Sequence, residues 1–391
     1  MPTRAGWLTI VVSAGVVVLG RFFGLIELYV VGAVGPALVI AAVGHVRLAE
    51  LRLRVRRVVT PSRVHAGDAT RIELAATNIG RTRTPALRLQ DPVAGTRGAT
   101  LDLAPLARNE AARAAYRLPT SNRGVVAVGP LVLELLDPFG LARRTVTAAP
   151  RLDLTVLPHV DVIVLPSATG DRDVHSGAVR RNELGRQGED FYGLREYVVG
   201  DDMRRVHWPS SARSAELMIR QDETPHQDRT TVVLDSRLTS VRADAFEAGV
   251  SAAASCVTAA YRSGHLVRLL ASDGTDSNSG AGLAHVDALL EYLAVVERSG
   301  TGSLRLVLDQ LARTPVGGLL VVVFGRPTGF ELEALVRLCP RFRGVVAVAT
   351  VGPVPPVRAK GLSIVDLSAG GSLPEQWSAA TTRRQGRSVP A

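Results

Sequence analysis

Aromatic side chains are scarce in this chain: Phe, Trp and Tyr together make up 4% of its 391 residues. Single-strand nucleic-acid grooves set aromatic stacking platforms into a basic channel. No basic run here is interleaved with aromatics, so nucleic acid is not an expected partner despite a net charge of +10. Lysine is nearly missing: Lys360 is the only one, and arginine carries almost all of the positive charge, as a GC-rich coding sequence would produce. Cysteine is limited to Cys256 and Cys339. Far apart and without CxxC spacing, they argue against a disulfide framework and fit a reducing compartment. Cys256 reads as a small core hydrophobe. The length argues against one ordinary core and calls for two or three domains of about 100–200 residues.

What the chain does have is a long apolar start. Residues 7–46 carry only Arg21, Glu27 and His45 as ionisable groups, enough for two membrane spans of about 20 residues each. "RFFG", Arg21–Gly24, is the expected outer turn, with Phe22, Phe23 and Tyr29 near the headgroups. A signal peptide would need a small-residue cleavage site, which is not evident, and a second apolar run follows at once. Next comes "HVRLAELRLRVRR", with Arg47, Arg52, Arg54, Arg56 and Arg57 against Glu50, while Arg4 precedes the first span. By the positive-inside rule both termini face the cytoplasm, with the lipid bilayer as the first partner. Residues 1–57 are thus expected to form a transmembrane hairpin with a basic juxtamembrane segment.

Residues 58–158 change character. Ile72, Leu74 and Ala76 alternate with polar neighbours, as do Leu87 and Leu89, the period-two pattern of half-buried strands. Asn78-Ile79-Gly80, Asp91-Pro92 and Asp137-Pro138-Phe139-Gly140 supply turn chemistry. An immunoglobulin-like β-sandwich is expected, without a catalytic constellation. Residues 159–188 read as a linker, polar and glycine-bearing from Ser167 to Gly188, with His175 solvated.

Residues 189–228 concentrate chemically capable side chains. "LREYVVGDD" suggests a strand ended by Gly200, after which Asp201 or Asp202 caps a short helix through "MRRVHW" until Pro209 disturbs it, and "ELMIRQDE" gives a second strand. Asp201, Asp202, His207, Ser210 and Ser211 contain the parts of a nucleophilic triad, but neither serine sits in a G-x-S-x-G elbow. A metal site from Asp201, Asp202 and His207, completed by Asp222 or His226, lacks a spacing that places two ligands on one helical face. Structural use accounts for more residues at once: aspartate caps, Tyr197 and Trp208 in a core, and Arg195, Arg204, Arg205 and Arg213 as bidentate partners of carboxylates.

The same stretch, "FYGLREYVVGDDMRRVHWPSSARSAELMIRQDE", resembles the signature of a bacterial membrane-protein family, domain of unknown function fifty-eight. The matching residues are Gly193, Arg195, Tyr197, Gly200, Asp201, Asp202, Arg204, His207, Trp208, Ala212 and Arg213; Pro209 departs from the pattern, where a basic residue is usual. "RGVVAVGPLVLELLDPFGL" and the paired N-terminal spans are also similar to that family. The resemblance implies no shared catalytic activity. It implies neighbours of two kinds, a MoxR-type AAA ATPase and transglutaminase-like membrane proteins, and a docking or structural role for the signature.

Residues 229–369 alternate buried strands with helices, the pattern of a doubly wound α/β domain with a parallel sheet. In such sheets ligands gather beyond the carboxyl ends of the strands, here at "LDSRLTS". That segment resembles the first metal loop of von Willebrand factor type A domains, which holds a hard cation such as Mg²⁺ between carboxylate and hydroxyl oxygens. Asp235 and Thr239 are the residual candidates. Arg237 stands at the other hydroxyl position, and arginine is not a ligand. Residues 370–391 read as a mobile tail. The expected function is that of a membrane-anchored cytoplasmic interaction or scaffold protein without enzymatic activity, acting with the MoxR-type ATPase. The alternatives are a cation-dependent protein-binding domain of type A and a hydrolase using His207 with Asp201 or Asp202.

Overall fold

The computed structural model describes residues 1–166 apart from 62; 191–197, 203, 206–214 and 216–222; and 228–385 apart from 315, 316, 353, 356, 358 and 369. They group into two compact units, Met1–Val160 with Leu290–Glu297, and Asp161–Leu289 with Arg298–Ala391.

The first unit opens with α1 (Arg4–Phe23) and α2 (Ile26–Leu48). The hydroxyl of Thr3 caps α1 by accepting from Gly6 N at 3.1 Å, and Gly24, at φ 71°, ends it where "RFFG" is expected to turn. Both helices are long and apolar enough to cross a membrane, with mean hydropathies of 1.8 and 2.1. Their contact is made by small residues: Ser13 and Gly20 are buried on α1, Gly32 and Gly35 on α2. A Cβ on Gly35 would overlap the Ser13 hydroxyl, so glycine sets that approach. The outward faces, including Val11, Val18, Val30 and Ile40, are apolar and exposed.

Ten strands follow: β1 (Leu53–Thr60), β2 (Val64–His65), β3 (Thr70–Asn78), β4 (Leu87–Asp91), β5 (Ala99–Leu103), β6 (Ala111–Leu118), β7 (Gly124–Val128), β8 (Leu131–Leu136), β9 (Arg143–Ala149) and β10 (Leu152–Leu157). They form three sheets in the orders β1-β3-β6, β5-β4-β8-β9 and β2-β10-β7. All pairings are antiparallel except that of β2 with β10. The expected alternation holds: Ile72, Leu74, Ala76, Leu87 and Leu89 are all buried, and Ile72, Leu74, Leu89, Leu118 and Leu131 share one core.

The juxtamembrane arginines differ from expectation. Arg54 and Arg56 do lie on the exposed face of β1, but Arg57 falls on the inward face, its side chain only 6% exposed. A guanidinium in that position needs charged and polar acceptors. It donates to Asp91 Oδ1 at 2.7 Å, and to the carbonyls of Val128 and Pro150 at 3.4 and 3.3 Å. The Tyr116 hydroxyl donates to Asp91 Oδ2 at 2.6 Å. Burial, then this contact with Asp91, push the tyrosine pKa upward. A segment boundary at residue 57 therefore cuts through a strand, because the two-residue period of Leu53, Val55 and Arg57 continues to Val59.

The second unit contains β11 (Phe191–Glu196), α3 (Trp208–Ser214), β12 (Met218–Asp222), β13 (Arg229–Leu234), α4 (Ala243–Arg262), β14 (Leu266–Ala271), α5 (Leu283–Val295, whose second half groups with the first unit), α6 (Leu304–Arg313), β15 (Leu319–Phe324), α7 (Gly329–Leu338), β16 (Gly344–Ala349), β17 (Leu362–Asp366) and α8 (Leu373–Gln385). Five strands make a wholly parallel sheet in the order β14-β13-β15-β16-β17. Every residue of β15 and β16 is buried, as strands covered on both faces require. The strand order reverses between β13 and β15, which makes their carboxyl ends the topological switch point.

Two boundaries are corrected. Of the expected tail, Leu373–Gln385 is not loose: α8 buries Trp377 to 2% exposure, and its indole N–H donates to the Val164 carbonyl at 2.8 Å; residues 386–391 lie outside the described residues. The first residues of the expected linker are likewise docked. Ile163 and Leu165 are buried, and Asp161 N donates to Ser255 Oγ at 2.9 Å. Trp377 stands alone in a polar stretch, and the apolar run Val162–Leu165 is too short for periodicity to say what it packs against.

Removing Asp91 alone leaves a buried cation without its partner, so Asp91→Ala is expected to cost about 3–5 kcal/mol. The triple change Arg57→Met, Asp91→Leu, Tyr116→Phe removes the whole polar cluster and is expected to cost clearly less. Denaturant unfolding of the full chain in detergent compares them; equal losses would show that the cluster is not governed by an unpaired charge.

Candidate functional site

At the switch point β13 delivers Asp235, whose side chain is fully buried, and whose N–H donates to the Val323 carbonyl at 2.8 Å. The loop then turns back so that Arg237 embraces the same carboxylate: Nε to Oδ1 and Nη2 to Oδ2, each at 2.8 Å. The third nitrogen, Nη1, reaches Glu331 Oε1 at 2.7 Å. Glu331 is 3% exposed and belongs to a capping box at the start of α7. Its Oε2 accepts from Thr328 N at 2.8 Å, and Thr328 Oγ1 accepts from Glu331 N at 3.3 Å. The Ser240 hydroxyl donates to Asp235 Oδ2 at 2.7 Å.

The hydrogen bonds to Asp235 hold the pKa of Arg237 above its ordinary value, against the opposing effect of partial burial. Asp235 accepts at both oxygens, so a guanidinium fills the space between two carboxylates that a divalent cation would need. The residues present do not fit Mg²⁺. Among the described residues no group of three or more His, Cys, Asp or Glu converges to hold a metal. Of the sequence candidates, Asp235 is central, but Thr239 is exposed and its neighbour Ser240 supplies the hydroxyl. The turn brings the fifth residue after Asp235 inward, not the fourth. Gly325 permits this, since a Cβ there would overlap the Ser240 carbonyl. Beyond it, exposed Arg326 takes its backbone register from the same carbonyl, at 3.1 Å.

Ser236 is also buried there, its N–H donating to Ser272 Oγ at 2.9 Å. Sequence reasoning missed Ser240, Ser272 and Glu331. The T-x-x-E spacing of Thr328 and Glu331 was a legible cap signal, but nothing local announces that the same carboxylate meets Arg237.

The signature segment is a small layer of its own. Antiparallel β11 and β12 form a two-stranded sheet in which Arg195 pairs with Ile219, and Gly193 with Gln221 across a register shift. Of the signature residues, Gly193, Arg195, Tyr197, His207, Trp208, Ala212 and Arg213 belong to described positions, whereas Gly200, Asp201, Asp202 and Arg204 lie outside them. The expectation of aspartate caps and of a site joining them to His207 falls on that undescribed stretch.

Two expectations change. The helix does not end at Pro209 but begins there: α3 starts at Trp208, and proline fits a first helical turn, whose N–H groups have no intrahelical partner. His207 is its cap residue. Its carbonyl accepts from Ser210 N and Ser211 N at 3.1 and 3.0 Å, and its Nδ1 shares a hydrogen bond with Ser210 Oγ at 2.9 Å. Trp208 is no core piece, since it is 62% exposed. Val206 and Ser211 are buried, and the Ser211 hydroxyl links the His207 carbonyl (3.1 Å) to Met218 N (2.8 Å), tying α3 to β12. Ala212 and Arg213 are exposed on α3.

Residues 193–354 match the model of a family described as proteins of unknown function, DUF58. These residues are thus a region similar to the DUF58 family. The DUF58 region runs from within β11 to just beyond β16, so it takes in the signature layer and the switch point together. No curated protein matches the chain. Among solved structures, the CARDB domain of the PF1109 protein from Pyrococcus furiosus, in complex with di-metal ions, is similar at 13% identity, over 28% of this chain and 93% of that one, with a TM-score of 0.22. The Pseudomonas fluorescens alkylpurine DNA glycosylase AlkC, bound to DNA containing an abasic site analog, is similar at 12% identity, over 31% of this chain and 33% of that one, with a TM-score of 0.18.

In the DUF58 region, Trp208→Ala is expected to change stability by less than about 1 kcal/mol, as at other exposed positions. Ser211→Ala, which leaves Met218 N without its acceptor, is expected to cost about 1–3 kcal/mol. Paired unfolding curves check the order; a larger loss for Trp208→Ala would mean that the indole is covered in solution.

Proposed function

We propose that this is a membrane-anchored interaction protein: two spanning helices with both termini in the cytoplasm, an immunoglobulin-like sandwich as spacer, and a type A-like α/β domain that presents its switch-point face to a protein partner without using a metal ion. The observation that carries this reading is the Arg237 guanidinium held between Asp235 and Glu331. It places a fixed positive charge where a type A domain would place its cation. A cation site can empty and refill, whereas a guanidinium is charged at any physiological pH. The mouth of this sheet therefore holds its form without a metal ion, and exposed Arg326 beside it is the cation that a partner would meet. The parallel sheet with buried strands and the apolar N-terminal pair support the rest of the architecture. The partner, a MoxR-type AAA ATPase, comes from the family resemblance of the signature, and other membrane proteins are secondary partners on the same ground.

The cation-dependent alternative conflicts with the filled space between the carboxylates. The hydrolase alternative has one observation in its favour, the contact of His207 Nδ1 with Ser210 Oγ. Both groups belong to one turn at the start of α3, so capping accounts for that contact locally. We read the protein as lacking enzymatic activity and cofactor.

Titration of the full chain in detergent with Mg²⁺ to about millimolar, the range of weak sites, is expected to give no saturable heat. Arg237→Ser, which leaves Asp235, Glu331 and hydroxyls around a vacated space, is expected to gain a saturable isotherm. Binding by the native chain that disappears in Asp235→Ala would promote the cation-dependent alternative. For the partner, the tagged full chain retained from solubilised membranes is expected to hold the MoxR-type ATPase in the native and His207→Gln forms alike, and to lose it when Arg326 and Arg237 are both replaced by Ser. A hydrolytic turnover abolished by His207→Gln would overturn the non-enzymatic reading.

A further inference from the structure

The end of β8 and the loop that leads to β9 carry two large apolar side chains into the open: Leu136 is 50% exposed and Phe139 is 72% exposed. The shape of the loop is fixed from beneath. Buried Asp137 accepts from Phe139 N at 2.9 Å and from Ala142 N at 2.5 Å, and the chain closes again through Asp137 N to the Ala142 carbonyl at 3.1 Å. Phe139 is therefore held outward by a rigid turn.

The loop is also bonded to the very start of the chain. Thr3 N donates to the Leu141 carbonyl at 2.8 Å, Thr3 Oγ1 to the Gly140 carbonyl at 2.6 Å, and the Met1 ammonium to the Arg143 carbonyl at 2.7 Å. The first turn of α1 lies so close that a Cβ on Gly6 would overlap the Leu141 carbonyl. On the other side Leu135, Leu141 and Ala142 share a core with Val39, Ala42 and Val46 of α2, against which Ile10 of α1 also packs. The loop thus stands level with apolar turns of both helices. At the start of α1 and the end of α2, Trp7, Leu8 and Leu48 are exposed, as are the arginines Arg4 and Arg47 and, on β9, Arg143. Arg144 closes α2 by donating to the Arg47 and Ala49 carbonyls at 3.2 and 3.1 Å.

We propose that Leu136 and Phe139 form a third membrane contact, a wedge inserted at the boundary of headgroups and acyl chains in the leaflet from which the two helices emerge, with an anionic lipid surface as its ligand. The inference rests on the reading of α1 and α2 as spans. Two observations commit it to lipid: the loop continues, through backbone hydrogen bonds, from the end of a helix whose outward face is apolar, and the charge around it is arginine, which anionic headgroups attract. Apolar side chains at such a surface bury to about 5–10 Å. The wedge fixes the orientation of the first unit on the bilayer instead of leaving it to swing on the two helices.

The test uses the full chain in vesicles of phosphatidylcholine and phosphatidylglycerol, with a nitroxide on Phe139→Cys and, separately, on Leu38→Cys, an exposed position midway along the second span. Cys256 and Cys339 are buried, and burial raises the pKa of the Cys256 thiol, so neither competes for the label. Power-saturation spectra compare collisions with dissolved oxygen, which concentrates in lipid, and with a water-soluble nickel chelate. At both positions oxygen is expected to dominate, with the nickel chelate more effective at 139 than at 38. A label at 38 that is in lipid while that at 139 is freely open to nickel overturns the wedge and leaves the spans intact. A label at 139 shielded from both reagents overturns it in favour of a covering protein. A label at 38 open to nickel overturns the spans themselves, and the wedge with them.

Discussion

The carboxylate of Asp235 has no contact with solvent, and that condition governs the sheet's functional end. A buried carboxylate must be given a positive charge and hydrogen-bond donors or it loses its proton-free form. One residue, Arg237, supplies most of both, and in doing so it draws the loop after β13 toward the first turn of α7, where Glu331 receives the third nitrogen. Three local features are thereby made mutually dependent: the turn that brings Ser240 inward, the close approach permitted by Gly325, and the capping box of Thr328 and Glu331. One cation between two anions leaves the cluster with a net negative charge, and the hydroxyl of Ser240 and the helix N-terminus at Thr328 share in stabilising it.

The same physics organises the first unit. Asp91 is fully buried and answered by Arg57, while Tyr116 completes the carboxylate's second oxygen. The pair ties β1, β4 and β6 to the chain at Val128 and Pro150. Apolar packing of α2 against Leu87, Leu135 and Leu141 then joins the helix pair to the strands, so the two helices are not suspended from a flexible stem.

Much of this was legible in the sequence. The two apolar helices, the break at Gly24, the alternation of Ile72, Leu74 and Ala76, the parallel sheet and the burial of Cys256 all follow from periodicity and from turn chemistry. Long-range pairing was not legible. Arg57 reads as one more juxtamembrane cation until Asp91 is found opposite it. Glu331 reads as a helix cap, because its second role depends on a residue far earlier in the chain. Trp208 shows the opposite failure: a large aromatic in a short helix was expected in a core, yet it lies on the open side of α3, while Ser211 of that helix and Val206 before it are buried. Trp377, in a stretch with little pattern, is the tryptophan that the core takes instead.

The near absence of lysine reads as coding bias when taken as composition, but at two positions the structure requires arginine for its shape. Arg57 serves a carboxylate and two carbonyls at once, and Arg237 holds one carboxylate at two points and another at a third. A lysine ammonium offers a single charged point on a flexible stem and cannot span these acceptors in fixed directions, whereas the planar guanidinium fork does so with less ordering per bond. Composition therefore set the supply of cations, and burial decided where only this cation serves. That distinction also explains why the switch point holds its charge permanently: once the fork is engaged on Asp235 and Glu331, displacing it with a metal ion would mean moving a charged side chain out of three hydrogen bonds before the first ligand bond formed.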